Sequence, residues 1–341
     1  MRCKVMERIE NVKKKHHFVF QAYLSKWKEN NAVWVLRDRK KLFPTGTEAI
    51  AFKNSFYTIN SLNLDEKKLL DCYLQTMSPV VRGQMEFFIE TYLLPVENQK
   101  ILDVMKQAAI KRFGTENNIP DDLHHEISKC EQIIRVQKNN NMEDFYCDIE
   151  GELVQYFRII DEQGIGFYYN LDRNDRFNFL SDICIQYFRT LPLKERWMKQ
   201  FGDSIKKLDF AKVGIDLSKV NLENLSIFFF WHIQTSLAYS LMSKETTIAL
   251  LNNNTAIPFI TSDQPIINLK CDYDNDLAET TELTFFYPIS PTKALVINGD
   301  NTERQIDVSE EAVREYNSAI ARSSSHLIIG NEKEILRQYI K

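Results

Sequence analysis

The sequence predicts an α+β protein, largely helical, with a sheet formed by strands from the N- and C-terminal parts packed on a helical middle. Three observations predict it. Short β-branched and aromatic runs lie near both ends, as in Ala32–Leu36 and His326–Gly330. Between roughly residues 63 and 250 the apolar residues recur with helical spacing instead. A chain of 341 residues with only ten glycines and nine prolines is short of turn-formers for a many-stranded all-β fold. Strands confined to the two ends would leave open edges if they folded apart, so joining them in one sheet is the economical arrangement.

Taken in order, residues 1–62 read as an N-terminal β-containing section of a single domain. Phe18, Tyr23, Leu24 and Trp27 space a short amphipathic helix, and Asn30-Asn31 marks a turn. Ala32–Leu36 is a strand, with weaker strands at Leu42-Phe43 and Phe56–Ile59 around a Pro44-Thr45-Gly46 turn. In the helical middle, 63–250, Asp65-Glu66 opens a helix carrying Leu69, Leu70, Tyr73 and Leu74. Further helical patterns cover about 78–93, 97–113, 121–138, 142–163, 173–190, 193–207 and 221–243, with breaks at Pro95, Gly114, Pro120, Gly164 and Pro192 and a polar joint at Asn139–Asn141. Residues 251–341 return to strands at Ile257–Thr261, Ile266–Leu269, Leu283–Tyr287, Ala294–Ile297 and His326–Gly330. One helix, Asp307–Arg322, interrupts them, with Ser309 as N-cap and Val313, Tyr316, Asn317 and Ile320 on one face.

Composition removes several function classes. The net charge of −4 gives no global electrostatic footprint for nucleic acid. The first forty residues are nevertheless basic, through Arg2, Lys4, Arg8, Lys13, Lys14, Lys15, Lys26, Lys28, Arg37, Arg39, Lys40 and Lys41, a face that would attract phosphates or simply remain solvated. Six scattered cysteines never form a C-x-x-C pair, which excludes the common zinc spacings and points to free thiols in a reducing cytosol. No signal-peptide pattern opens the chain, and the apolar run Ile227–Trp231 is too short to span a bilayer, so a cytoplasmic protein is expected.

Candidate chemistry centres on Lys13-Lys14-Lys15-His16-His17, followed by an aromatic segment. Adjacent imidazoles diverge by about 100° on a helix and oppose each other on a strand, so one of His16 and His17 acts and the other orients or packs. His124-His125-Glu126 is not a zinc signature and reads as surface helix, while His232 among aromatics reads as a packed histidine. Asp263 follows an apolar strand, where a scaffold would fix a carboxylate for ligand chemistry, or where an Asx-type turn needs one. Glu150 adds a carboxylate on a helix. Arg189 and Arg196 flank Leu191-Pro192, placed to clamp a phosphate or carboxylate or to pair with acids between helices. No P-loop, G-x-G-x-x-G or G-x-S-x-G pattern occurs.

Several of these pieces together resemble the domain of unknown function (DUF) family 4238. His16-His17-Phe18-Val19-Phe20-Gln21-Ala22-Tyr23-Leu24 is similar to its HHxxPQxYL opening, with Phe20 in place of proline. Phe56-Tyr57, Glu150, the Gln186, Arg189 and Thr190 set, Thr261–Pro265, Tyr287–Pro291 and Asn317 resemble later elements of the family in the same order. The resemblance implies that His16, His17, Glu150, Arg189 and Asp263 form the polar set of interest, in a bacterial protein compatible with a toxin-like or antiphage effector.

The leading expectation is a hydrolase of a phosphate-containing substrate, nuclease-like, with His16, His17, Asp263 and Glu150 catalytic and Arg189, Gln21 and Lys15 binding substrate. A bound divalent ion would take Asp263 and His17, with Glu150 as the further carboxylate, although the histidine spacing favours weak or no metal binding. The alternative is a non-enzymatic sensor or regulatory protein. Nucleic acid, a protein partner or a second copy of the chain are the partners considered, and no membrane. The histidine stretch and Ser262–Pro265 are expected to share one cleft, with Arg189 or Glu150 lining it.

Overall fold

The computed structural model describes residues 11–205, 210–243, 246–275, 280–299 and 304–341. Arg2, Lys4, Arg8 and Cys3, and the end of the helix expected over 193–207, lie outside the described residues. The first part of the chain carries β1 (Lys15–His17), α1 (Gln21–Leu24), β2 (Val33–Arg37), β3 (Lys41–Thr45) and β4 (Phe52–Asn54). The helical middle follows as α2 (Leu64–Gln75), α3 (Pro79–Phe113), α4 (Asp121–Gln163), α5 (Gly166–Asn170), α6 (Arg173–Phe188), α7 (Leu191–Ile205) and α8 (Leu222–Ser243). The chain closes with β5 (Ile248–Asn252), β6 (Thr261–Ser262), β7 (Ile267–Asn268), β8 (Phe285–Ser290), β9 (Lys293–Ile297), β10 (Gln305–Asp307), α9 (Glu310–Ser323), β11 (Leu327–Gly330) and α10 (Lys333–Arg337).

These elements form two compact units, each assembled from separated stretches: residues 1–16, 53–147 and 209–228 in the first, and 17–52, 148–208 and 229–341 in the second. In the first unit, α2 begins with a capping box in which Asn63 and Glu66 satisfy each other's exposed amides. Glu66 is buried, yet its second oxygen accepts from Asn221 N and Asn224 Nδ2, so no lone carboxylate oxygen is left in the core. The chain reverses after α3 at Gly114, whose φ of 86° suits only a residue without Cβ. Leu102 of α3 then packs on Ile127 and Ile134 of α4, and Lys106 pairs with Glu131 at 2.6 Å.

Two breaks expected from the sequence do not occur. Helix α3 runs through Pro95, because a proline forfeits one backbone hydrogen bond while Pro95 and Val96 are both buried against the unit. Helix α4 runs through Asn139–Asn141 for a different reason. Asn139 Nδ2 donates back to Arg135 O at 2.8 Å, and buried Asn140 takes Lys13 N and gives to Asn11 O. The asparagines therefore hold the N-terminal segment instead of ending the helix. Phe56–Ile59 is not a strand either: Tyr57 N donates to His16 Nδ1, Thr58 N to Ser55 O and Ile59 N to Lys138 O, which leaves no ladder to form.

The second unit holds both main sheets. One has the order β3-β2-β11-β6, antiparallel throughout, with Val35 opposite Ile329 and Thr261 opposite Ile329 on its other side. Strands from the two ends of the chain thus join one sheet, as the edge argument requires. The other sheet has the order β10-β5-β9-β8-β7, with β9 at its centre and, beside it, β5, which the sequence reading missed next to the Asn252–Asn254 turn. Residues 257–260 are less regular than expected. Pro258 has no N–H, Phe259 N turns to Pro291 O, and Ile260 N donates to the side chain of Asn317 on α9. The core around Phe259, Phe286, Val313 and Ile320 closes over that asparagine, which also donates to Pro258 O.

Candidate functional site

The sequence-derived set separates into residues of the two units. His16, in the first, is fully buried. Its Nδ1 accepts from Tyr57 N at 2.9 Å, so Nε2 carries the proton and donates to Lys13 O at 3.1 Å, and the ring stacks on Tyr57. Burial holds its pKa below the ordinary histidine value. Both nitrogens are engaged with backbone. Lys15 beside it is exposed.

The second unit contains the rest. Arg189, at the C-terminal end of α6, is buried and donates to Glu150 Oε1 at 2.6 Å and to the carbonyl of His17. The His17 ring leans on Phe52. Neighbouring Thr190 donates to Gln264 Oε1 at 2.5 Å, and Gln264 Nε2 returns to Ile266 O. Tyr23, two residues beyond exposed Gln21, places its buried hydroxyl between Thr261 Oγ1 and Pro288 O, each at 2.7 Å. Its proton goes to the carbonyl, so Thr261 donates to it. Trp27 Nε1 reaches Phe259 O at 2.8 Å. Tyr23 therefore ties the N-terminal motif to Thr261, Trp27 reaches Phe259 just before it, and Arg189 and Thr190 hold His17 and Gln264 from the end of α6, as buried side chains that lock segments together. The phenol of Tyr287 and the amide nitrogen of Gln186, both buried, find no hydrogen-bond partner among the described residues.

Asp263 has a definite task in this arrangement. One oxygen accepts from Ser325 N at 3.2 Å and the other from His326 N at 2.7 Å and Leu327 N at 3.1 Å, while its own N–H donates to Leu327 O. The carboxylate stitches the connection after α9 to the start of β11. Complete burial pushes its pKa up to about 6, against the pull of those backbone amides toward the ionised form. Among the described residues no three His, Cys, Asp or Glu side chains gather as metal ligands would.

The basic front is dispersed in the same way. Lys13 pairs with Asp144, Lys26 with Asp161, Arg39 donates to Ala321 O, and Arg37 and Lys41 both sit over the Phe43 ring. The other half of the arginine expectation fares differently. Arg196, on α7, lines an open pocket of about 770 Å³ in the second unit. Its Nη1 donates to Ser323 O at 3.0 Å and its Cζ lies 5.1 Å from the centre of the Tyr273 ring, while Nη2 is buried with no hydrogen-bond partner among the described residues. One residue on, Trp197 stacks nearly parallel to Phe201 at 4.6 Å, and Phe230 meets Trp197 edge-on. Tyr187, Asp203 and Asp272 complete the part of the wall that matters for recognition. The signal available in the sequence was the Trp197-x-x-x-Phe201 pair beside Arg196, since residues four apart share a helix face. Tyr187 and Tyr273 join it only through the fold. A second pocket of about 600 Å³ in the first unit is lined by Arg135, Lys138 and polar residues and has no aromatic wall.

The molecule is thus an α+β protein with a locked polar framework and an aromatic, arginine-bearing pocket in its second unit. The chain belongs to the DUF4238 family of proteins of unknown function, which matches it over residues 15–334. No curated protein and no solved structure matches it. No helix among the described residues is long and apolar enough to cross a membrane.

Proposed function

We propose that this protein is a non-enzymatic sensor that binds a nucleobase-bearing phosphate ligand, a nucleotide or unpaired nucleotides of a strand, in the α7 pocket. The observation that carries this reading is the pairing of the stacked Trp197–Phe201 rings with the Arg196 guanidinium on one wall. The volume is in the range of small-molecule sites, about 300–1,000 Å³. Aromatic faces take a base by stacking, at about 1–3 kcal/mol per base. Arginine suits the phosphate. Asp203 and Asp272 would accept from base amino groups or sugar hydroxyls, and they make the pocket a poor host for bare phosphate.

The hydrolase reading is less well supported. Asp263, His16 and Arg189, which it would use, have their polar atoms engaged in holding backbone and Glu150 in place. Titration calorimetry with ATP, GTP and short oligonucleotides tests the proposal, with inorganic phosphate as control. Nucleotide binding that is lost in Ser204→Trp, which fills the pocket from an exposed wall position, and weakened in Arg196→Gln supports it. Absence of binding to every nucleotide and oligonucleotide overturns it. Cleavage of plasmid, single-stranded DNA or tRNA with Mg²⁺, Mn²⁺ or Zn²⁺, abolished in a folded Asp263→Asn variant, returns the assignment to a hydrolase.

A further inference from the structure

Helix α3 carries an apolar stripe that the described residues of its own unit leave uncovered. Val80, Phe87, Leu94 and Ile101 recur every seven residues, and Val104 and Met105 extend the row; their exposures run from 55% to 73%. Seven residues complete two helical turns less about 20°, so the four heptad positions stay within roughly 60° of one another. This is the spacing of a helix seam, whereas a helix that only packs on its own core shows the apolar face inward. The inward face of α3 is supplied separately by Met85, Val96, Leu102 and Ala109. The helix therefore has two apolar faces, of which the described residues of its unit cover one.

We infer that the stripe is the interface of a homodimer in which two copies of α3 pack antiparallel about a two-fold axis at Leu94. Three features select a second copy. Phe87 and Ile101 lie equally far from Leu94, so in the antiparallel register Phe87 meets Ile101 of the second copy, and Val80 meets its Ala108. The charges beside it are polarised along the helix, with Glu86, Glu90 and Glu97 outnumbering Arg82 toward the start, and Lys100, Lys106, Lys111 and Arg112 outnumbering Asp103 toward the end; Lys100 pairs with Glu97 and Lys106 with Glu131 within the chain. An antiparallel partner sets Glu86 and Glu90 near Lys100 of the second copy. A parallel partner would set each acid against itself. Finally, all six side chains of the row are large, apolar and more than half exposed, the kind of contiguous patch that a partner surface buries. The same patch meeting itself gives a closed pair.

The full-length chain tests this by sedimentation velocity and by cysteine cross-linking. The account predicts a dimer in wild type and a folded monomer in Phe87→Glu, with an unchanged circular dichroism spectrum because the residue is exposed. In a Cys130→Ser, Cys147→Ser background, Leu94→Cys should give a dimer disulfide that thiols reverse. Ile101→Cys should not, since the two positions lie about 21 Å apart along an antiparallel pair. A wild-type chain that stays monomeric up to tens of micromolar overturns the proposal. So does a dimer that survives Phe87→Glu, or one in which Ile101→Cys cross-links as readily as Leu94→Cys.

Discussion

Replacing Asp263 by asparagine separates a structural carboxylate from a catalytic one. The side chain keeps its size, but only one of its two terminal atoms remains an acceptor. If the carbonyl oxygen takes the place that serves His326 N and Leu327 N, the new NH₂ confronts Ser325 N, which now lacks its acceptor. A hydrogen bond to a charged group contributes about 1.5–3 kcal/mol, and a buried donor left alone costs about 1–3 kcal/mol. Two of the three amides lie in partly buried surroundings, so about 2–4 kcal/mol is expected for Asp263→Asn and more for Asp263→Ala, which strands all three. Urea unfolding followed by circular dichroism reads this as a lower midpoint at unchanged slope. The pH dependence carries a definite sign. With a folded pKa of about 6 against an ordinary aspartate value of 3.8, the folded state binds the extra proton between those values. The contribution of that shift is fully present below pH 3.8 and is lost as pH rises through about 6. The reasoning is refuted by an Asp263→Asn protein that keeps its midpoint within about 0.5 kcal/mol of wild type, a change typical of surface substitutions.

Three further outcomes follow from the framework. His16 is buried as the neutral ring with its pKa depressed, so the unfolded chain binds more protons there and stability should fall as pH drops below about 6.5; His16→Ala should remove that slope and cost about 2–4 kcal/mol in urea unfolding. Arg189→Lys cannot reach Glu150 and the His17 carbonyl together, and should lower stability by about 2–4 kcal/mol, somewhat less than a fully buried broken pair because the Glu150 side chain is 19% exposed. Tyr23→Phe leaves Pro288 O and Thr261 Oγ1 without their shared partner and should cost about 1–3 kcal/mol, readable as a shift of the thermal midpoint.

What the sequence disclosed follows from where the physics is local. The strand over 32–36, the N-cap at Ser309 and the pairing of both chain ends in one sheet were legible, because residue type, period and open edges decide them. Pro95 and Asn139–Asn141 misled, since local propensity favours a break and burial overrides it. The strand Ile248–Asn252 was missed because an apolar run beside a turn reads equally as a helix end. At the candidate site, residue type alone cannot tell whether a carboxylate faces a ligand or three backbone amides. Asp263 illustrates this: its partners arrive more than sixty positions later, in the Ser325–Leu327 connection. The pocket residues Tyr187 and Tyr273 carry no local mark at all.

The most direct measurement of the central claim is a crystal structure of the full chain grown with a saturating nucleoside monophosphate. The account predicts a base stacked against the Trp197–Phe201 pair, with its phosphate within hydrogen-bond distance of Arg196. A nucleotide bound elsewhere, with the α7 pocket closed by the protein's own side chains, would contradict it.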